Sequence, residues 1–222
     1  AAVQRAYALV AAGDIGEPCF VRARYGHGGR PGYAAEWRAD RERAGGGELL
    51  DQGIHVIDLS RWFLGEFAEA FGFAETYVWT PPGLDPGVRP VEDNAFGLFR
   101  TAQGRVASVH ASWTQWKNLF SYEVFGGDGY VIADGLGASY GPERLTWGRR
   151  RPESGPPEEQ HVEFPAPDGS WDAEWREFTG AILEGRVPLG SGRDGLEALR
   201  MAHAVYRSAR TGAAVRLDRD DV

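Results

Sequence analysis

Asp51 and His55 stand four residues apart in the run Gly45-Gly-Gly-Glu-Leu-Leu-Asp51-Gln-Gly-Ile-His55-Val-Ile-Asp58-Leu-Ser-Arg-Trp62. On an α-helix that spacing puts both side chains on one face, about a turn apart. A carboxylate beside an imidazole stabilises the imidazolium and fixes the orientation of the ring. Such a pair suits a general base that takes a hydroxyl proton near neutral pH, although a helical Asp/His pair is more often structural. The three glycines just upstream let a backbone and a ligand approach closely. Asp58 follows Asp51 by seven residues, close to two turns, so one metal ion could in principle meet Asp51, His55 and Asp58. No further His/Glu cluster completes a coordination sphere, and no metal is expected.

The remaining candidates are weaker. His27 sits in the glycine-rich stretch Gly26 to Gly32, either exposed or facing a ligand. His110 alternates with Ala111 and reads as a sheet residue, His161 carries no signal, and His203 on an apolar helical stripe reads as a core histidine. Trp113, Trp116, Lys117, Asn118 and Phe120 form an aromatic cluster at a strand end. Lys117 is the one lysine among 24 basic residues, so any lysine chemistry must use it or borrow one from elsewhere. Gly190-Ser-Gly192-Arg-Asp-Gly195 fits G-x-G-x-x-G, but it follows a helix rather than a strand and lacks the surrounding βαβ unit. It reads as an interhelical loop with Asp194 as cap, and no nucleotide-binding fold is expected in the chain.

The elements that must position these residues follow from periodicity. Ala1 to Ala12 has helical spacing stopped by Gly13, Cys19 to Tyr25 is extended, and a second helix covers about Leu49 to Leu64. In Ala70 to Trp79 both faces are apolar, with Phe71, Phe73, Tyr77 and Trp79 on one of them, which predicts a strand covered on both sides. Pro81 to Pro90 is a loop. Hairpins are expected from Ala95–Arg100 with Arg105–Trp113 and from Leu119–Phe125 with Tyr130–Ala133, then short strands at Arg144–Trp147 and His161–Phe164. Helices close the chain at about Trp171–Leu183 and Gly195–Arg210, the latter with Leu196, Leu199, His203 and Tyr206 on one stripe. The sum is an α+β fold, an open and mostly antiparallel sheet of six to eight strands with helices packed on one face.

The composition bounds the rest. A chain of 222 residues buries roughly 70 % of its unfolded surface and needs no metal or disulfide, and its one cysteine, Cys19, permits no intrachain bridge. The net charge of −8 with scattered basic residues argues against nucleic acid. No leader and no membrane-crossing run is seen, so a soluble cytoplasmic protein is expected.

The Gly45–Trp62 run resembles the G-G-G-x-L-x-D-x-G-x-H-x-x-D-x-x-x-W signature of the glucose–fructose oxidoreductase/inositol dehydrogenase/MocA (Gfo/Idh/MocA) family at every fixed position. The similarity extends to Gly13-Asp-Ile-Gly16, Glu36-Trp37-Arg38, Val91-Glu92-Asp93-Asn94-Ala95, Ala111-Ser112-Trp113, Phe125-Gly126 with Gly129, and Tyr206-Arg-Ser208-Ala-Arg-Thr-Gly212. The resemblance implies that residues 1–14 are the last helix of an N-terminal Rossmann domain absent from the chain, and that residues 15–222 form the C-terminal α+β domain for substrate binding and oligomerisation. It implies NAD or NADP bound mainly by the absent domain, with Gly46 and Gly47 as nicotinamide-side contacts. His55 would take the proton of a sugar or polyol hydroxyl while Asp51 orients the imidazole and contacts substrate. The family's third catalytic residue, a lysine in a Glu-Lys-Pro motif, has no counterpart here, so the chain alone is expected to be inactive.

Tyr33, Trp37 and Arg38 precede the glycines and either line a sugar pocket or pack as a loop on the helix, and His27 joins them as a substrate-side candidate. A homo-dimer or tetramer through the open sheet face is expected, since an uncovered apolar face of that size is unusual in a monomer. The competing function is a non-catalytic carbohydrate-binding or scaffold module that kept the fold and lost redox chemistry.

Overall fold

The computed structural model describes residues 1–84 and 90–217, so half of the Pro81 to Pro90 loop lies outside the described residues. Helix α1 (Ala2–Ala11) leads into β1 (Pro18–Gly26); two 3₁₀ turns (Tyr33–Ala35, Trp37–Ala39) and the one-turn α2 (Arg41–Ala44) then precede the glycines. A π-helical segment, Leu49–Gly53, runs directly into α3 (Ile54–Leu64). Strands β2 (Phe67–Glu75), β3 (Asn94–Thr101), β4 (Val106–Ser112), β5 (Leu119–Gly126), β6 (Gly129–Asp134), β7 (Arg144–Arg149) and β8 (Glu159–Glu163) follow. The described residues close with α4 (Ser170–Glu184), α5 (Gly192–Thr211) and a two-residue β9 (Val215–Arg216).

These strands make one nine-stranded open sheet in the order β8-β7-β6-β5-β1-β4-β3-β2-β9. All neighbours are antiparallel except the central pair, β1 beside β4, which is parallel. The parallel pair matters for the site, because it brings the C-terminal ends of β1 and β4 to the same edge, with Gly26 opposite Ser112. The main core lies between the sheet and helices α1, α3 and α5, around Leu49, Ile57, Phe99, Tyr122 and Val205. A small second core of Tyr33, Ala39, Val91 and Trp113 seals the edge where β1 and β4 end.

Four expectations are corrected. Strand β2 stops at Glu75, because the backbone N–H groups of Tyr77, Val78 and Trp79 donate to the Asp93 carboxylate (2.7–2.9 Å) and cannot enter a ladder. The strand is also covered on one side within the chain: Ala70 and Gly72 face the helices, whereas Phe73 is 55 % exposed. On α5 the buried stripe is Ala198, Met201, Ala202, Val205 and Ser208; His203 is exposed, and Leu196 and Leu199 lie outside the core. Small residues face the sheet there because the helix packs close to it, the Cβ position of Gly72 lying 2.9 Å from Val205. The supposed aromatic cluster separates too, with Trp113 and Phe120 buried and Trp116 67 % exposed.

The Gly190–Gly195 segment is an interhelical loop. Ser191 caps α5, accepting from the N–H of Asp194, while the Asp194 carboxylate accepts from the Ser191 N–H, a complete capping box. Asp194 is thus the third helical residue rather than the cap itself. No described helix is long and apolar enough to cross a membrane.

Candidate active site

The site sits on the π-helical segment at the sheet edge. A π segment bonds five residues apart, so positions four apart no longer stack as they do in an α-helix. This changes the relation read from spacing. No hydrogen bond or ion pair joins Asp51 to His55 among the described residues; Asp51 instead meets Arg38, Nε to Oδ2 at 3.5 Å. His55 opens α3 and is solvent-exposed, its ring 6.4 Å from that of Tyr25 at the end of β1. Asp51 is also close to Tyr25, whose hydroxyl is pushed far above its ordinary range by burial first and then by Tyr140, Glu48 and Asp51. The two signature residues therefore face the same region without touching.

The glycines are explained from inside the protein. A Cβ on Gly47 would lie 2.0 Å from the Glu92 carbonyl oxygen, and one on Gly46 would lie 2.4 Å from the Tyr206 hydroxyl. Glu92, buried in the loop before β3, accepts from the N–H groups of Gly47 and Leu49 and from Tyr206 Oη (2.6–3.1 Å). Burial raises its proton affinity and these donors oppose the rise. Sequence reasoning quoted Glu92 only as part of a motif, yet it is what fixes the turn that carries Asp51. Gly46 and Gly47 are both buried in this packing, and Glu92 and Tyr206 account for the need for glycine at these positions.

The substrate-side candidates divide. Arg38 lies over the half-exposed Trp37 ring (4.6 Å) while reaching Asp51, so these two stay at the surface of the site. Tyr33 is 2 % exposed and packs edge-on against Trp113 at 4.8 Å, which makes it a core residue under the site rather than part of an open wall. Its hydroxyl is buried without a hydrogen-bond partner. His27 is partly buried, and its Nδ1 accepts from the N–H of Gly29 at 2.9 Å. Burial lowers its proton affinity, with Asp51 opposing, so the ring is neutral and carries its proton on Nε2.

The structure also assembles a group that sequence spacing missed: His27, Glu48 and Asp51 each place one nitrogen or oxygen atom within 4.8 Å of the others. Their sequence separation hid it, since the group forms only because β1 ends beside the π segment. Such a set could surround a cation, but the Gly29 N–H occupies Nδ1 of His27 and the neutral ring has its proton on Nε2, leaving no free ligand nitrogen. The other set considered, Asp51, His55 and Asp58, does not form as a metal site. Asp58 pairs with Arg61 at 3.2 Å, and Arg61 also binds Glu66 and Asp194.

His110 is a sheet residue, stacked on Phe96 with Nε2 3.1 Å from Asn94 Oδ1. A concavity of about 660 Å³ between residues 136–143 and 163–168 includes none of the groups above, and its two glutamates accept from the Ala2 N–H and from Arg144.

Residues 3–132 match the model of the GFO/IDH/MocA C-terminal domain, more than half of the chain. The chain belongs to the Gfo/Idh/MocA oxidoreductase family. Among curated relatives, a 1,5-anhydro-D-fructose reductase of Ensifer adhaerens is 29 % identical, covering 94 % of this chain and 59 % of the relative. Among solved structures, the aldose-aldose oxidoreductase of Caulobacter crescentus, complexed with glycerol, superposes with a TM-score of 0.79 at 28 % identity, over 97 % of this chain and 60 % of that one. A levoglucosan dehydrogenase in complex with NADH and levoglucosan shares the fold (TM-score 0.83, 22 % identity, 98 % and 64 % covered). The chain thus spans about 60 % of the length of the relatives it matches.

Neither glycine-rich segment fits the phosphates of a dinucleotide. Gly46 and Gly47 are packed against Glu92 and Tyr206, and the first turn of α5, where the G-x-G-x-x-G pattern leads, is filled by the Asp194 carboxylate, which repels an anion.

Proposed function

We propose that this chain is the substrate-side half of an NAD(P)-dependent oxidoreductase acting on a hydroxyl of a sugar, polyol or sugar derivative, and that it handles the proton of that reaction. The observation that carries the reading is the exposed His55, at the start of α3 and beside Asp51, in a site whose family signature is complete. His55 accepts the proton of the bound hydroxyl. Asp51, held by Arg38 on its outer side, accepts a hydrogen bond from a neighbouring hydroxyl and sets which hydroxyl reaches His55. Trp37 offers an apolar face to sugar C–H groups.

NAD or NADP is assigned to a further domain, which the relatives' greater length supports. Helix α4 supports it as well. Of its fifteen residues only Ala181 is buried, while Trp171, Trp175, Phe178 and Ile182 are exposed, a surface suited to being covered by more protein. The same reading places the protein in the cytoplasm as a soluble enzyme.

The test is the enzyme carrying this chain joined to its nucleotide-binding domain, assayed for NAD(P)H formation on a panel of aldoses and polyols. His55→Ala is expected to lower kcat by about 10²–10⁴-fold with an unchanged melting temperature. Turnover within a few-fold of wild type would remove His55 from the mechanism. Carbohydrate binding without any redox activity in the wild type would instead favour the scaffold reading.

A further inference from the structure

Glu48 occupies the position that the family signature leaves free, between the glycines and Leu49. It is fully buried, yet neither of its carboxyl oxygens completes a hydrogen bond within the protein. An ionised carboxylate in that state is strongly disfavoured, and the surroundings disfavour it further. Asp51 and Glu92 are the charges facing it from its own segment and from the loop before β3, and both are negative. His27, beyond the end of β1, is neutral; Tyr25, Tyr33 and Tyr140 face it as protonated phenols. Only the Ser112 backbone N–H favours the charged form, and burial with the two carboxylates outweighs it. The cation of the site, Arg38, lies on Asp51 instead.

Geometry supplies the partner. Three polar atoms that all lie within 4.8 Å of one another leave a point within hydrogen-bond reach of all three, where one oxygen atom can sit. Around that oxygen stand an acceptor (Asp51), the His27 ring and the Glu48 carboxyl.

We propose that Glu48 stands as a neutral carboxylic acid at neutral pH and donates its proton, through one bridging oxygen, to Asp51, so that the two side chains hold a single negative charge between them. The bridging oxygen belongs to water or to a substrate hydroxyl. No bond other than the O–H hydrogen bond is made or broken, and the proton stays with Glu48. Glu48 is a positioning residue: it fixes Asp51, and the one remaining charge is balanced by Arg38. This role rests on the proton-handling reading of the site, but it is testable without turnover.

Infrared spectra of the chain at pH 7 are expected to contain a protonated-carboxyl C=O band that shifts in D₂O and is absent from Glu48→Gln. Carbon-13 NMR of the glutamate-labelled protein is expected to show a neutral side-chain carboxyl resonance at pH 7 that Glu48→Gln removes. In the complete enzyme, Glu48→Ala is expected to lower kcat/KM about tenfold, and Glu48→Gln, which keeps a donor, to restore most of it. An ionised Glu48 by both spectroscopies overturns the proposal. So does a stoichiometric divalent metal in the purified protein whose removal by chelation makes the neutral-acid signal appear, since the carboxyl would then be a ligand. A neutral Glu48 in a chain whose complete form lacks redox activity leaves this proposal standing while the dehydrogenase reading fails.

Discussion

Arg38 connects the surface of the site to its charge. Its guanidinium lies on the Trp37 ring and reaches Asp51 at 3.5 Å, with both members of the ion pair more than a third exposed. An exposed pair of this kind contributes less than about 1 kcal/mol to stability, because water screens it and two side chains lose freedom to make it. Its value lies in where it holds Asp51. Arg38→Met is therefore expected to leave the melting temperature of the chain within about 2 °C of wild type while raising KM for the sugar substrate of the complete enzyme several-fold. A change in kcat alone, with KM untouched, would assign Arg38 to the proton transfer instead of to binding. At this scale the sequence said more about which residues gather in one region than about how they meet. Asp51, His55, Trp37 and Arg38 all lie at the site, but the Asp51–His55 contact inferred from α-helical spacing is absent, and Glu48 escaped notice because a buried acid has no sequence signature of its own.

The elements explain that difference. Periodicity locates a helix from Leu49 to Leu64 but cannot distinguish a π segment from an α-helix; over Leu49–Gly53 the winding is wider where Gly53 packs close to Ala111 and the preceding turn is tied to Glu92. The hairpins were legible because their strands alternate and their turns carry glycine, as in Gln103-Gly104. The parallel pairing of β1 with β4 was not, because it depends on which strands meet across eighty residues of intervening chain, and β9 is too short to show a period. The glycine turn offers the sharpest test. Gly47→Ala drives a Cβ to 2.0 Å from the Glu92 carbonyl oxygen, where backbone rather than a flexible side chain must yield. Overpacking of this kind costs about 3 kcal/mol, a fall of roughly 6–12 °C in Tm for a domain of this size. Thermal unfolding followed by circular dichroism measures it, and an unchanged Tm would mean that the turn relaxes away from Glu92. The capping box of α5 serves as the reference for a local loss, since removing a cap costs about 1 kcal/mol.

At the scale of the molecule, the sheet covers its helical face and leaves the other to solvent. The uncovered face is apolar where β2 and β3 lie side by side: Phe71 pairs with Leu98 and Phe73 with Phe96, which in turn stacks on His110 of β4. Phe73 and Leu98 are each about half exposed. Apolar surface returned to water costs about 25 cal/mol per Å², so a second copy laid on this patch would recover a term that the isolated chain forgoes. Arg22 and Arg24 with Glu123 continue the same face as charged neighbours, which gives a homodimer a polar border around an apolar centre. Leu98→Asp places a carboxylate in the middle of that patch without touching the core or the site, because Leu98 points away from α5. Sedimentation velocity of the wild-type protein is expected to give a dimer or tetramer and that of Leu98→Asp a smaller species, with the same melting temperature when measured at low concentration. A wild type that sediments as a monomer at every concentration would mean that this face serves no copy of the chain, and equal association of both proteins would move the interface elsewhere, with the exposed face of α4 the next surface to substitute.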